Sequence, residues 1–160
     1  MLFRSHWTAT FGISVHALEE ELAHLVTIRK GTLVFLEFLR QHGYRSVLAT
    51  NAHPASLARK LQLTGLAAYF SSIVSAHTLG RPKEDSGFWS DLRAREQFDP
   101  ATTILVDDNA LALSAARASG VRHVFGIRYP SSTGAARSYP EFASVDALSE
   151  LIPWLNSRRC

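Results

Sequence analysis

Three groups of polar residues in this sequence could carry chemistry on an anionic substrate. Thr50 and Asn51 offer a hydroxyl and an amide, Lys83 offers a compact positive charge, and Asp107 and Asp108 offer adjacent carboxylates. A hydroxyl and an amide near a helix start can hold a phosphate oxygen, and a lysine can neutralise phosphate charge. Adjacent carboxylates repel each other and gain from a cation such as Mg²⁺. The set therefore predicts a phosphate site with a metal beside it.

The elements around these residues predict how they are positioned. Short aliphatic and β-branched segments alternate with helical spacing after residue 30, which indicates a parallel sheet with helices on both faces. Strands are predicted at 45–50, 72–75, 103–106 and 123–127. Helices are predicted to end at Gly43, Gly65 and Phe98, with further helices at 15–26, 111–119 and 145–155 and a surface loop at 129–139. Ligands gather at the carboxyl ends of such strands, where all three groups fall.

Each group also has an ordinary explanation. Thr50 and Asn51 could form a strand-to-helix cap, Lys83 could be a solvated surface lysine, and the Asp107 and Asp108 pair could cap the next helix. Their shared placement at strand ends favours the chemical interpretation. A response-regulator receiver also uses an acidic pair, a threonine and a lysine, but there the acidic pair comes first. His53 and His77 lie near the predicted site and are either structural or in contact with substrate.

Composition bounds the class of protein. With 160 residues, of which 46% are hydrophobic, the chain predicts one globular domain. Its apolar runs are far shorter than a membrane span, so no membrane partner is expected. The net charge of +3 is scattered without a basic stripe, which argues against nucleic acid. A single cysteine, Cys160, is typical of a disulfide-free cytoplasmic protein.

The order of Thr50, Lys83 and the Asp107 and Asp108 pair resembles motifs II, III and IV of the haloacid dehalogenase superfamily. The resemblance is closer over LATNAHPASLARKLQLTGL, SAHTLGRPKEDSGFW and ILVDDNALALSAARASGV, which are similar to segments of bacterial GMP/IMP nucleotidases of that superfamily. It continues through SYPEF to LIPWL and covers essentially the whole chain.

The resemblance implies a Mg²⁺-dependent phosphomonoesterase that acts on purine nucleoside 5′-monophosphates through an aspartyl-phosphate. It implies that Thr50 and Lys83 are catalytic, with Thr50 hydrogen-bonded to the phosphoryl group and Lys83 offsetting its charge. Asn51 would help to shape the phosphate pocket. Asp108 would bind Mg²⁺ directly, and Asp107 would orient a metal-bound water or support the ligands from behind.

The sequence departs from the family in its aspartates. In these enzymes an Asp-x-Asp motif supplies the nucleophile and the general acid, but none of the six aspartates here forms such a pair. The resemblance implies that residues 1–29 are a remnant of a helical cap. Residues 30–160 would be the core domain, without its first, central strand. We therefore expect an inactive fragment that is poorly soluble, with the strands ending at Thr50 and Val106 separated by a void or packed with distortion. The alternative is a non-catalytic remnant that binds phosphate or protein.

Overall fold

The structure is a computed structural model that describes residues 21–131 and 134–158. Most of the predicted cap remnant, residues 1–20, lies outside the described residues. Of the helix predicted at 15–26, the structure describes the end, a 3₁₀ turn at Leu22–Leu25 after which the backbone becomes extended at Val26.

Strands and helices alternate in the described ranges, as the sequence predicts. The strands are β1 (Val47–Thr50), β2 (Ser72–Ser75), β3 (Ile104–Asp107), β4 (His123–Ile127) and β5 (Ala143–Val145). The helices are α1 (Thr32–Gln41), α2 (Pro54–Thr64), α3 (Ala76–Leu79), α4 (Ser86–Glu96), α5 (Ala110–Ala118) and α6 (Leu151–Asn156), with further 3₁₀ turns at Leu66–Tyr69 and Leu148–Glu150. Every strand pairing is parallel, so the predicted parallel α/β fold is confirmed. None of the described helices is both long and apolar enough to cross a membrane.

Two elements differ from the prediction. The last helix was predicted to begin at Val145, but that residue ends β5 and pairs with Ile127 of β4. Val145 is β-branched and buried, and a strand at the sheet edge packs such a side chain against its neighbour. The short helix α3 was missed because four residues are too few to show a helical period. It is set by local caps, with the Ser75 hydroxyl accepting from the His77 amide at 3.3 Å and Gly80 ending it at φ 70°.

Helices cover both faces of the sheet that contains β3, β4 and β5. Adjacent residues of a strand point to opposite faces, and two neighbours on β4 show this directly. Val124 packs in a cluster with Phe88 of α4 and Leu113 of α5, whereas Phe125 packs with residues of α1 and α6 such as Leu151. The predicted helices on both faces are therefore confirmed.

The strands form two separate sheets. One contains β1 and β2, and the other contains β3, β4 and β5 in that order. A cleft of about 730 Å³ lies between them, and its lining includes Val47 and Ala49 from β1 and Leu105 and Val106 from β3. Among the described residues, β1 and β3 therefore face each other across this cleft and do not pair. Within 21–131 and 134–158, no strand pairs with the edge that β1 or β3 turns toward the cleft, and such an edge is an open template for a further strand.

A buried carboxylate fixes the amino ends of β1 and β2. Glu96, at the end of α4, is accessible over only 6% of its side chain. Its carboxylate accepts hydrogen bonds from the Arg45 guanidinium and from the Ser72 hydroxyl, the latter at 2.8 Å. These hydrogen bonds, one from the segment before β1 and one from the first residue of β2, tie the end of α4 to this sheet. The opposite, carboxyl ends of the strands carry the residues that the sequence singled out.

Candidate functional site

The turn before α4 joins the carboxyl ends of the two sheets. The Lys83 ammonium donates to the carboxylate of Asp107, the last residue of β3. The backbone N–H of the same lysine donates to Oδ1 of Asn51, just past β1, at 2.9 Å. The structure thus brings Lys83, Asp107 and Asn51 into one hydrogen-bonded group beside Thr50, which ends β1.

Lys83 is held on both its side chain and its backbone. Its side chain is 13% exposed and that of Asp107 is 4% exposed. The indole N–H of Trp89, a core residue of α4, donates to the Lys83 carbonyl at 2.8 Å. These contacts exclude the solvated surface lysine that was the ordinary explanation, because such a lysine would have neither a buried partner nor an anchored backbone.

The helices that follow the other two groups have other residues as their N-caps. His53 caps α2 by accepting from the Ala55 amide at 3.3 Å, and Asn109 caps α5 by accepting from the Leu111 amide at 2.9 Å. The Thr50 hydroxyl accepts from the Ala52 amide at 3.1 Å, which folds the chain after β1 back over the strand end. A hydroxyl that accepts in this way still has its own hydrogen to donate.

Asp107 and Asp108 differ sharply in their surroundings. Both oxygens of Asp107 are engaged, one by Lys83 and the other by the Asn109 amide at 2.9 Å. The carboxylate of Asp108 is 48% exposed and accepts from the Arg137 guanidinium at 3.0 Å. Of the pair, Asp108 has the carboxylate that solvent and an added ion can reach.

Tyr139 holds the backbone of Asp108. Its hydroxyl lies 2.8 Å from the carbonyl oxygens of both Asp108 and Ile127, and its ring rests on Gly126, where a Cβ atom would lie only 2.5 Å from it. Burial raises the pKa of Tyr139, so the hydroxyl stays protonated and able to donate. The sequence predicted a surface loop over 129–139, and the described residues 129–131 and 134–139 have irregular backbone. The buried tyrosine at the end of the loop was missed because a single aromatic in a loop has no periodic signal.

Glu84 is a further site residue that the sequence did not indicate. Its carboxylate accepts from the side-chain amides of Asn51, at 2.8 and 3.1 Å, and Asn109, at 2.5 Å. No spacing rule points to a glutamate that follows a lysine in a turn. Its partners are 33 and 25 residues away, so only the folded chain reveals the contact.

The described residues fit Mg²⁺ only as part of a larger ligand set. No cluster of three or more His, Cys, Asp or Glu side chains suited to a metal occurs within 21–131 and 134–158. Mg²⁺ requires about six oxygen ligands in near-octahedral array and keeps several waters. Asp108 can supply a carboxylate oxygen, whereas the oxygens of Asp107 are already occupied by Lys83 and Asn109.

We expect Mg²⁺ to bind this chain weakly, with a Kd in the millimolar range or above, because two carboxylates alone cannot complete its shell. Isothermal titration of the chain with MgCl₂ measures this affinity, and Asp108→Ala should weaken it further. Micromolar affinity that disappears in Asp108→Ala would contradict the expectation, because it would require further ligands around that carboxylate.

Comparison with known proteins places the chain in a family. The model of the haloacid dehalogenase-like hydrolases matches residues 4–125, and the chain belongs to this family. It is 35% identical over 150 residues to the GMP/IMP nucleotidase YrfG of Escherichia coli, a match that covers 94% of this chain and 68% of that protein. It is 29% identical over 159 residues to a plasmid-encoded phosphoglycolate phosphatase of Cupriavidus necator, covering 99% of this chain and 64% of the relative.

Solved structures agree on the fold. A HAD phosphatase from Thermococcus onnurineus superposes with a TM-score of 0.79 at 23% identity, over 98% of this chain and 72% of that one. The HAD-hydrolase YfnB from Bacillus subtilis, in a form bound to magnesium, superposes with a TM-score of 0.72 at 18% identity, over 96% of this chain and 69% of that one. The predicted superfamily and fold are therefore confirmed.

Proposed function

We propose that this chain forms the phosphate-binding part of a Mg²⁺-dependent phosphomonoesterase acting on purine nucleoside 5′-monophosphates such as GMP and IMP. The observation that carries the proposal is the convergence of Lys83, Asn51 and Thr50 at the carboxyl ends of β1 and β3. The 35% identity to a GMP/IMP nucleotidase supports the substrate class. The proposal places the enzyme in the cytoplasm, in keeping with a sequence that has one cysteine.

Each residue of the site has a role in this proposal. Thr50 donates its hydroxyl hydrogen to a phosphoryl oxygen, and the amide of Asn51 borders the same pocket. Lys83 balances the negative charge that gathers when a phosphate meets a carboxylate. A fixed cation in a partly buried site stabilises developing charge more than a solvated one does, because little water screens it.

The nucleophile must come from outside the residues that the structure describes. We propose that an aspartate of an Asp-x-Asp motif attacks the phosphorus, the nucleoside leaves as its alcohol, and water then hydrolyses the aspartyl-phosphate. A strand in the cleft between β1 and β3 would deliver such an aspartate to Lys83 and Thr50. In the same proposal, residues 1–29 are a remnant of a helical cap.

In this proposal the exposed carboxylate of Asp108 binds Mg²⁺ directly. Asp107 orients a metal-bound water or supports the ligands without direct contact to the ion. The superposition on a magnesium-bound HAD-hydrolase supports this choice of ion. When bound, the ion would supply positive charge to the phosphate oxygens. The protein's own part is to hold Asp108 in place, through Tyr139 on its backbone and Arg137 on its carboxylate.

Phosphate release from a panel of GMP, IMP, AMP and phosphoglycolate tests the proposal. The assay uses a protein that joins this chain to an upstream strand ending in Asp-x-Asp. We expect kcat/KM for GMP and IMP to exceed that for phosphoglycolate by at least about tenfold. Lys83→Ala should lower kcat by about 10² to 10³, as for removal of one fixed charge-stabilising group. A preference for phosphoglycolate would contradict the substrate class.

A non-catalytic remnant is the second candidate, favoured by the lack of an Asp-x-Asp pair among the six aspartates of the sequence. The DNA upstream of the Met1 codon distinguishes the two. An in-frame extension that encodes a strand ending in Asp-x-Asp supports the enzyme, and a stop codon immediately upstream supports the remnant.

A further inference from the structure

Glu84 bridges the loops that follow β1 and β3. Its carboxylate accepts from Nδ2 of Asn51 at 2.8 Å and from Nδ2 of Asn109 at 2.5 Å. Asn51 lies just beyond β1, and Asn109 lies two residues beyond the end of β3. A single side chain therefore connects the carboxyl ends of two strands that belong to separate sheets.

The orientation of both asparagines is determined by their other contacts. Oδ1 of Asn51 accepts from the backbone N–H of Lys83, and Oδ1 of Asn109 accepts from the backbone N–H of Leu111, each at 2.9 Å. An amide whose oxygen accepts from a backbone N–H must present its NH₂ group on the other side. Both NH₂ groups thus face Glu84, whose Oε1 accepts from both asparagines and whose Oε2 accepts from Asn51.

Glu84 and Lys83 act on the two sheets as a pair. The lysine reaches Asp107 at the end of β3, while the glutamate reaches the asparagines beyond both strands. Because a cleft separates β1 from β3, the two strands share no backbone pairing. These side-chain contacts therefore connect their carboxyl ends at the candidate phosphate site. The distance between the Asn51 amide and the Lys83 ammonium depends on them.

We propose that Glu84 is a positioning residue of the phosphate site, which acts through the amide of Asn51 and does not contact phosphate itself. This rests on the proposed function, because it gives Glu84 a role in the same anion site. The carboxylate holds Asn51 against the Lys83 backbone and keeps the loop after β3 at the distance that a phosphate group requires.

A purely electrostatic role and a positioning role of Glu84 predict opposite effects of Glu84→Gln on phosphate affinity. If the carboxylate only placed negative charge near the site, its removal would relieve repulsion of phosphate and tighten binding. If it positions Asn51, glutamine can keep an oxygen at the Oε1 position but places an NH₂ group at Oε2, directly against the NH₂ group of Asn51. Phosphate binding then weakens, and outer partners of this kind typically change affinity by 10- to 100-fold.

The test is titration of the 160-residue chain with inorganic phosphate, followed by ³¹P NMR or calorimetry. We expect the Kd for phosphate to rise about tenfold or more in Glu84→Gln and to rise less in Glu84→Asp, which keeps the charge and one bridging contact. In ¹⁵N spectra, the side-chain NH₂ signals of Asn51 and Asn109 should both shift in Glu84→Gln. Glu141→Gln removes the same charge at the far end of α5, where Glu141 pairs with Arg117, and should leave the Kd unchanged.

A double-mutant cycle shows whether Glu84 acts through Asn51. Asn51→Ala should weaken phosphate binding, and adding Glu84→Gln to it should cause no further loss. A purely structural role would instead produce losses that add, together with a lower melting temperature for Glu84→Gln.

The outcomes separate this proposal from the proposed function. Weaker phosphate binding in Glu84→Gln with a non-additive cycle supports the positioning role. Unchanged or tighter binding in Glu84→Gln overturns that role but leaves the phosphate site intact. A wild-type chain that does not bind phosphate, or binds it equally well after Lys83→Ala, overturns the phosphate site and the role of Glu84 with it.

Discussion

The 160-residue chain is expected to release phosphate from GMP or IMP on the order of 10⁶-fold more slowly than a protein that also carries the Asp-x-Asp motif. The reason is that the sequence holds no aspartate pair of that spacing, and the proposed reaction takes its nucleophile from such a pair. Thr50, Asn51 and Lys83 can bind and orient phosphate, but binding groups alone leave only residual catalysis.

Phosphate release measured at equal concentrations of the two proteins tests this expectation. A matched control is the longer protein with the first aspartate of its motif changed to asparagine, which should fall to the level of the 160-residue chain. Turnover by the chain alone at roughly 1 to 10³ per second, the range of ordinary enzymes, would mean that a different residue is the nucleophile.

The order of strands and helices was predictable because each element has a local signal. Pro54 at the first position of α2, and Gly65 and Gly120 at helix ends, mark boundaries that depend only on neighbouring residues. The start of the last helix was not predictable in this way. Val145 has the residue type of either element, and it becomes a strand because β4 lies beside it in the fold.

The sequence predicted which residues belong to the candidate site, but it did not predict the hydrogen bonds between them. Strand ends converge in any parallel sheet, so Thr50, Lys83 and Asp107 could be grouped from their order in the chain. Nothing in that order says that Lys83 pairs with Asp107, or that Glu84 joins Asn51 to Asn109, because those contacts depend on side-chain directions in the turn before α4. Local sequence fixes the turn itself, with Asp85 capping α4 through the Gly87 amide at 2.7 Å.

The cleft between β1 and β3 affects the expected solubility of the 160-residue chain. The facing edges of β1 and β3 each carry backbone groups that a neighbouring strand could pair with, and the lining between them is largely apolar. Exposed edges of this kind promote association between molecules. Poor solubility therefore remains a prediction, and the surface expected to cause it is formed by the facing edges of β1 and β3.

Lys83→Met is expected to lower the free energy of unfolding by about 3 to 5 kcal/mol, the usual cost of removing one partner from a buried ion pair. Methionine keeps most of the apolar stem but removes the ammonium group. The Asp107 carboxylate, 4% exposed, then keeps the hydrogen bond from the Asn109 amide as its only one from the residues that the structure describes. The magnitude applies because both side chains are largely out of water, unlike the surface pair of Arg40 and Glu37, which water and salt screen.

Urea denaturation of Lys83→Met, Asp107→Asn and the double variant measures the effect. The double variant should recover most of the loss, since it leaves no unpaired buried charge, and this recovery distinguishes the ion pair from simple packing of the lysine stem. Lys60→Met, on the exposed face of α2, is the matched control and should change stability by less than about 0.5 kcal/mol. If Lys83→Met were as mild as that control, the Asp107 carboxylate would have to be stabilised by something other than the Lys83 ammonium, and the tie between the turn before α4 and the end of β3 would not depend on charge.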